Sequence, residues 1–343
     1  MKKVAVAILN WNGVNYLERF LPSVVEHSAL EADVWVIDNA STDGSLAFIR
    51  EKFPQVNIKQ LESNFGFAKG YNLGLKDIPN EVFVLLNSDV EVSKGWIAPV
   101  IRYMESTAGM VACQPKILDY NDKKMYEYAG AAGGYVDQNG FVFCAGRIFN
   151  SFEQDEGQYA GNEEVFWASG AALFITRKAY YEVDGLDEDF FAHMEEIDLC
   201  WRLKNRGYRV GACRDAQVYH VGGGTLNRLS PFKTYLNFRN NLYLLVKNYR
   251  GSNLFCKMYW RLTLDGVAFL HFCTVGKFNY ALAVLKAHAS YYKNLKLYLR
   301  KRKAEEQFSK VPNMKGWYRG SIVGDFFLKK KKKFWTLERE RFV

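Results

Sequence analysis

Hydrophobic positions in the first 115 residues recur with two alternating periods. Val4–Leu9 is a short apolar run of the kind a buried strand presents, and Leu17, Phe20, Leu21, Val24 and Val25 follow at helical spacing. Val34–Ile37 is a second strand-like run ending at Asp38, after which Ser41 and Asp43 supply capping groups for a helix reaching about Phe53. Val56–Leu61, a helical stretch from Phe67 to Lys76, and Val82–Leu86 complete a βαβαβαβ order. That order predicts an α/β fold with a mainly parallel central sheet and helices on both faces.

The texture changes between Lys116 and Glu164, where Gly, Tyr and Asn are frequent and the helical period is lost, predicting irregular hairpins and loops. Order returns with Phe166–Ile175, a helix from Glu195 to Arg206 stopped by Gly207, and two short runs, Tyr208–Ala212 and Gln217–His220. From Phe232 onward the pattern is long, helical, aromatic and basic; Tyr280–Leu299 sets apolar residues on one side and basic residues on the other. These changes divide the chain into an α/β domain over 1–230, with halves 1–115 and 116–230, and a helical basic extension over 231–343.

Composition narrows the class. At 343 residues, with 49% hydrophobic and 24% charged positions, the chain is globular and larger than one ordinary core. Cys113, Cys144, Cys200, Cys213, Cys256 and Cys273 form no CxxC pair, which argues against a zinc site or disulfide framework and fits a reducing compartment. The apolar run after Lys3 is too short for a signal-peptide core. The uncharged stretch Gly266–Gly276 falls short of the roughly 20 residues that span a bilayer. Residues 286–343 hold 17 Lys+Arg and 5 Asp+Glu, so this segment carries +12 and the rest carries −3 of the net +9. A near-neutral body with a basic tail predicts a surface-binding appendage.

Parallel sheets bind ligands at the carboxyl ends of their strands. Here those ends read Asn10-Trp11-Asn12-Gly13, Asp38-Asn39-Ala40-Ser41, Asn64-Phe65-Gly66 and Asn87-Ser88-Asp89-Val90-Glu91, a polar set that predicts a nucleotide site. These blocks, followed by Gly185-Leu186-Asp187-Glu188-Asp189-Phe190-Phe191, Glu195-Glu196-Ile197-Asp198 and Tyr219-His220-Val221-Gly222-Gly223-Gly224, stand in a family's order over residues 4–224. The chain resembles the family 2 glycosyltransferases of the GT-A (nucleotide-diphospho-sugar transferase) fold, and within them the rhamnosyltransferase-like branch of bacterial surface-polysaccharide synthesis.

The resemblance implies an inverting, metal-dependent hexosyltransferase. Its donor would be a nucleotide-diphosphate sugar, dTDP-rhamnose in that branch, and its acceptor a hydroxyl of a growing cell-surface glycan or lipid-linked oligosaccharide. Residues 1–115 would bind the nucleotide and 116–230 the acceptor. Asn10, Asn12, Asp38 and Asn39 would line the nucleotide pocket, while Asn64 and Gly66 would let backbone approach the donor. Asn87-Ser88-Asp89 stands where the family has its DxD motif, with Asn in place of the first acid. Weight therefore falls on Asp89, with Glu91 in support and His220 completing the shell of Mg²⁺ or Mn²⁺ around the diphosphate. Trp167 and Gly170 fit the segment that contacts donor sugar or acceptor. The family's base is the second acid of a Glu-Asp pair opening a helix. That is Glu196 here, a Glu for Asp, which keeps Asp198 and Glu195 open as alternatives; acids at a helix start also complement its dipole. Arg239-Asn240 either reaches the diphosphate or sits in solvent.

For the basic segment, Lys329–Lys333 with Phe334, Trp335, Trp317, Phe326 and Phe327 predicts anionic lipid as partner and a place at the cytoplasmic face of the cell membrane. No nucleic-acid module is present. Two other readings compete. A non-catalytic, membrane-associated glycan-assembly protein with the same fold draws on the unusual Glu196. A sugar-phosphate nucleotidyltransferase would carry a Gly-rich, basic phosphate loop where Asn10-Trp11-Asn12-Gly13 stands.

Overall fold

The computed structural model describes residues 2–222 and 230–343; Gly223 and Gly224 of the last motif lie outside the described residues. The chain runs β1 (Val4–Asn10), α1 (Val14–Ser28), β2 (Ala32–Asp38), α2 (Ser45–Lys52), β3 (Asn57–Gln60), α3 (Gly66–Leu75), β4 (Val82–Leu86), β5 (Val90–Val92), α4 (Ile97–Ser106) and β6 (Met110–Asp119). It continues with β7 (Gly134–Asp137), β8 (Val142–Cys144), β9 (Arg147–Ile148), β10 (Ser151–Phe152), β11 (Glu163–Val165), β12 (Ala172–Thr176), α5 (Arg177–Glu182), α6 (Glu195–Asn205) and β13 (Arg209–His220). Long helices α7 (Pro231–Asn248), α8 (Leu254–Thr274) and α9 (Phe278–Glu306) precede the short strand β14 (Trp317–Tyr318).

Strands β3, β2, β1 and β4 pair in parallel, as the βα alternation predicts. Beyond β4 the sheet turns mixed. β12 enters antiparallel, then β6, β13 and β11 follow, with β5 on the side of β13. The two runs at 208–220 are one strand, β13, broken by a bulge between Cys213 and Gln217. The segment 116–164 is more ordered than its composition predicts: β7–β10 join β14 in a second, five-stranded sheet.

The pleat of β1 sorts the core. Val4, Val6 and Ile8 share one cluster with Leu17, Leu21 and Val24 of α1 and Val100 of α4, while Ala5 and Ala7 face α3. The alanines leave room for Tyr71, whose hydroxyl lies buried between the strands and donates to the carbonyl of Leu86 at 3.0 Å. Gly74, one turn below, allows the same close approach, because a Cβ there would stand 2.4 Å from Ile37 Cγ2.

Helix α6 is locked by charge. The buried carboxylate of Asp198 accepts from Arg202 Nε at 2.8 Å, Lys247 Nζ at 2.9 Å and Asn248 Nδ2 at 2.7 Å. Lys247 also reaches Asp187 at 2.6 Å, and Lys301 bridges Asp187 and Asp189 at 2.5 Å each. One cluster thus fastens α6, α7, α9 and the 187–189 loop together.

The expected helical extension over 231–343 holds only to Glu306. After it the chain returns to the α/β body. β14 pairs with β7, Phe334 packs on Tyr135 at 4.7 Å between ring centres, and Phe342 packs on Tyr318 at 4.7 Å. The aromatic residues that read as a lipid-facing set are therefore split. Trp317 and Phe326 are buried and Phe334 belongs to that aromatic cluster, whereas Phe327 and Trp335 remain exposed. Lys329 and Lys331 pair with Asp325 and Glu338 at 2.9 and 2.7 Å.

Removing the acid from the α6 cluster leaves buried Arg202 without its carboxylate and Lys247 with Asp187 alone, so Asp198→Ala is expected to lower unfolding free energy by about 3–5 kcal/mol. Urea denaturation measures it, and an unchanged midpoint would deny the cluster its structural role.

Candidate active site

The half expected to bind the nucleotide is assembled from strand ends. Asn10 and Asp38 are register partners at the ends of β1 and β2, both buried, with Asn10 Nδ2 donating to Asp38 Oδ1 at 3.3 Å. The other Asp38 oxygen accepts the Ser41 backbone N–H at 3.0 Å. Ser41 is not a helix cap, as its hydroxyl accepts from Asn10 Nδ2 and from the Asn12 N–H, joining the two loops. Asp43 does serve α2, accepting from Ser45 N–H at 3.0 Å, and also takes the Val14 N–H at 3.0 Å. Asn12 holds the facing loop by accepting from Thr42 N–H at 2.7 Å. Asn39 staples β2 to the turn before α3, donating to Asn64 Oδ1 at 2.9 Å and Gly66 O at 3.0 Å. Gly66 itself sits at φ +75°, the left-handed region that glycine enters freely. Asn10 Oδ1 is buried with no hydrogen-bond partner among the described residues.

At the end of β4 the polar groups become charged. Asp89 Oδ1 lies 3.1 Å from His220 Nε2, and Asn87 Nδ2 lies 3.3 Å from the same nitrogen. His220 Nδ1 lies 3.2 Å from Glu127 Oε2. Burial alone would strip the imidazole of its proton; the flanking carboxylates of Glu127 and Asp89 outweigh that and push its pKa up to about 10. Glu127 comes from the segment read as loop and carries no motif. Ser88 lies half-buried between Asn87 and Asp89. Glu91 stands apart from this row, ion-paired with Lys123. Among the described residues no three His, Cys, Asp or Glu side chains form a self-sufficient metal cage, so the expected trio reduces to Asp89 and His220. Their 3.1 Å spacing is close to the roughly 3 Å between adjacent ligands in an octahedral shell with bonds of about 2.1 Å. The pair therefore fits two positions on a divalent ion, with diphosphate and water left to supply the others.

The half expected to bind the acceptor centres on the start of α6. The loop before it holds Phe191, His193 and Met194 at φ 67°, 68° and 74°. Three non-glycine residues in that region store strain of order 1–3 kcal/mol each, the kind of outlier that marks functional sites. Asn240 holds the loop: its Nδ2 donates toward the carbonyls of Phe190, Ala192 and His193 at 3.0, 2.8 and 2.7 Å. Arg239 adds a bond to Phe190 O at 2.8 Å, so this Arg-Asn pair shapes the loop instead of reaching a diphosphate. His193, absent from the sequence-based set, is kept neutral, its pKa lowered to about 4 by burial and the nearby Lys233.

The three candidate bases separate by environment. Asp198 is consumed by its ion pairs, which hold it in the charged form against the cost of burial. Glu195 is buried beside Glu196, and both effects drive its pKa well above the ordinary carboxylate value. Glu196 is half-buried, with a pKa raised to about 6: burial lifts it, while backbone N–H groups of the helix start and of Gly170 restrain the rise. Gly170 abuts this side chain, since a Cβ there would lie 3.6 Å from Glu196 Cβ and 3.8 Å from Phe67 Cζ. Its neighbour Ala171 accepts the Asn87 N–H at 3.1 Å, so residues 170–171 link the Asp89 end to the Glu196 end. Trp167 does not line this cleft. It is buried against Gly134, with Nε1 donating to Tyr135 O at 3.1 Å.

Comparison with known proteins follows the same outline. Residues 5–183, more than half the chain, match the profile described as Glycosyl transferase family 2. The chain is 24% identical over 216 residues to the low-salt glycan biosynthesis hexosyltransferase of Haloferax volcanii, covering 61% of this chain and 66% of that protein, just under two thirds of its length. It is 25% identical over 221 residues to the N-acetylglucosaminyl-diphospho-decaprenol L-rhamnosyltransferase of Mycobacterium tuberculosis, covering 60% of this chain and 71% of that one. A mannosyltransferase from Pyrobaculum calidifontis, solved with GDP-Man and Mn²⁺, superposes with a TM-score of 0.52 at 14% identity over 90% of this chain and 86% of its own. With its fold of the GT-A type, this chain belongs to glycosyltransferase family 2.

Proposed function

We propose that the protein transfers a hexosyl group, with inversion, from a nucleotide-diphosphate sugar to a hydroxyl of a glycan or lipid-linked acceptor at the inner face of a membrane. The rhamnosyltransferase resemblance favours dTDP-rhamnose as donor. One observation carries the reading: a carboxylate poised near neutral pH, Glu196, is linked through residues 170–171 to an acid–imidazole pair, Asp89 and His220, at the end of β4.

Asp38, Asn10 and Asn39 hold the strand ends that receive the nucleoside. Glu196 accepts the proton of the acceptor hydroxyl as that oxygen bonds to the anomeric carbon. The bond from that carbon to the diphosphate oxygen breaks on the opposite face, and its electron pair leaves with the diphosphate. Mg²⁺ or Mn²⁺, when bound, neutralises the leaving charge as a Lewis acid. Asp89 and His220 would hold the ion, and His220 would surrender its proton to do so, which makes ion affinity fall as pH falls. With Glu195 driven toward its protonated form and Asp198 engaged in its ion pairs, Glu196 is the acid at the start of α6 left to take a proton. A second reading keeps the proton on His220 and uses the imidazolium itself to neutralise the diphosphate; its raised pKa favours this.

Glu196→Gln should lower kcat by about 10²–10⁴-fold while leaving donor-induced thermal stabilisation intact; parental turnover in that variant would remove Glu196 as base. Since only the deprotonated carboxylate can take a proton, kcat/KM measured at saturating divalent ion should be level above about pH 6 and fall tenfold per unit below it. A profile flat to pH 5 would contradict this. Chelation with EDTA should abolish transfer and Mn²⁺ restore it; transfer that survives chelation selects the imidazolium reading.

A further inference from the structure

Lys329–Lys333 is a run of five lysines, but most of the exposed large apolar side chains of the C-terminal region lie elsewhere, on α8 and α9. Helices α8 and α9 form an antiparallel hairpin: Phe272 meets Tyr280 at 5.6 Å near its tip, and His288 reaches Asp265 at 3.3 Å farther along. One side packs on α7, where Tyr243 stacks on Tyr298 at 3.9 Å between ring centres. The other side is open. Phe255, Trp260 and Leu270 of α8 are 58–84% exposed, and Phe278, Leu282 and Leu285 of α9 are 48–67% exposed. Apolar surface clustered in this way marks an interaction site.

Charge identifies the occupant. Between Arg250 and Ala304 the sole acid is Asp265, which is buried and paired with Arg261 at 3.0 Å. The solvent side of α9 is apolar through its first turns and then basic, with Lys293, Lys296, Arg300 and Lys303 all exposed at helical spacing from the apolar set. A second copy meeting this face would set those cations against their own images. An anionic bilayer takes both halves, acyl chains under the aromatics and lipid phosphates under the bases.

We propose that the α8–α9 hairpin is the membrane-docking surface of this protein, with its apolar half inserted at the headgroup boundary of anionic lipid. Through α7, which carries Asn240 beneath the Glu196 loop, that surface belongs to the same packed unit as the acceptor half of the site. The inference deepens the membrane part of the proposed function. Vesicle binding without donor separates its failure from a failure of transfer.

The test is flotation of the full chain with vesicles of phosphatidylethanolamine and phosphatidylglycerol, and with phosphatidylcholine alone. Two variants accompany the parent: Trp260→Ser/Leu270→Ser/Phe278→Ser/Leu282→Ser, whose side chains are all exposed, and Lys329–Lys333 all changed to Ala. The parent should bind the anionic vesicles. The hairpin variant, with unchanged circular dichroism, should lose at least about tenfold in partitioning, and the tail variant less than about threefold. No binding by the parent, parental binding by the hairpin variant, or an equal loss in the tail variant would overturn the proposal. So would light scattering that finds a parental dimer dissolved by the hairpin substitutions.

Discussion

The buried carboxylate of Asp198 is the constraint on which the half proposed to bind the acceptor depends. It is satisfied by Arg202 of its own helix and by Lys247 and Asn248 of α7, so α6 cannot shift along α7 without leaving charge unpaired in the core. Because Glu196 stands two residues earlier on α6, the same bonds fix the turn of helix that carries the proposed proton acceptor. Lys247 and Lys301 extend the arrangement to Asp187 and Asp189, tying α7 and α9 to the loop that leads into the strained turn at 191–194. The C-terminal helices are thus part of the site's frame.

The two ends of the cleft use burial in opposite ways. At His220, the flanking carboxylates of Glu127 and Asp89 overcome desolvation and favour the protonated imidazole. At α6, desolvation and a neighbouring acid keep Glu195 neutral and bring Glu196 close to neutrality. Environments that push titratable groups apart in this manner assign acid, base and counter-charge without any change in residue type.

What could be read in advance was local. A strand ending in Asn10 or Asp38 announces itself by an apolar run meeting a polar group, and four such ends in βα order predict a shared edge. Asp89 and His220 could be paired across 131 residues only through the family's motif order. Glu127 left no trace, because a single acid in an irregular segment has no period to betray it. Asp198 and Trp167 were misleading for a common reason. Each sits in a motif, yet its role is set by partners distant in sequence, Lys247 for one and Gly134 with Tyr135 for the other. The tail is ambiguous for another reason, since basic and aromatic residues have the same composition whether they lie on lipid or strap a sheet. The pairing of β14 with β7 and the burial of Trp317 and Phe326 assign those residues to the body, while Phe327 and Trp335 stay exposed.

The proposed reaction is a single displacement at the anomeric carbon. The direct measurement is proton NMR of the first transferred glycoside, formed from whichever nucleotide sugar is accepted in the presence of Mn²⁺, before any spontaneous anomerisation. Glu196 acting as base on the acceptor requires the product anomer to be opposite to that of the donor. A product that keeps the donor's configuration would contradict it.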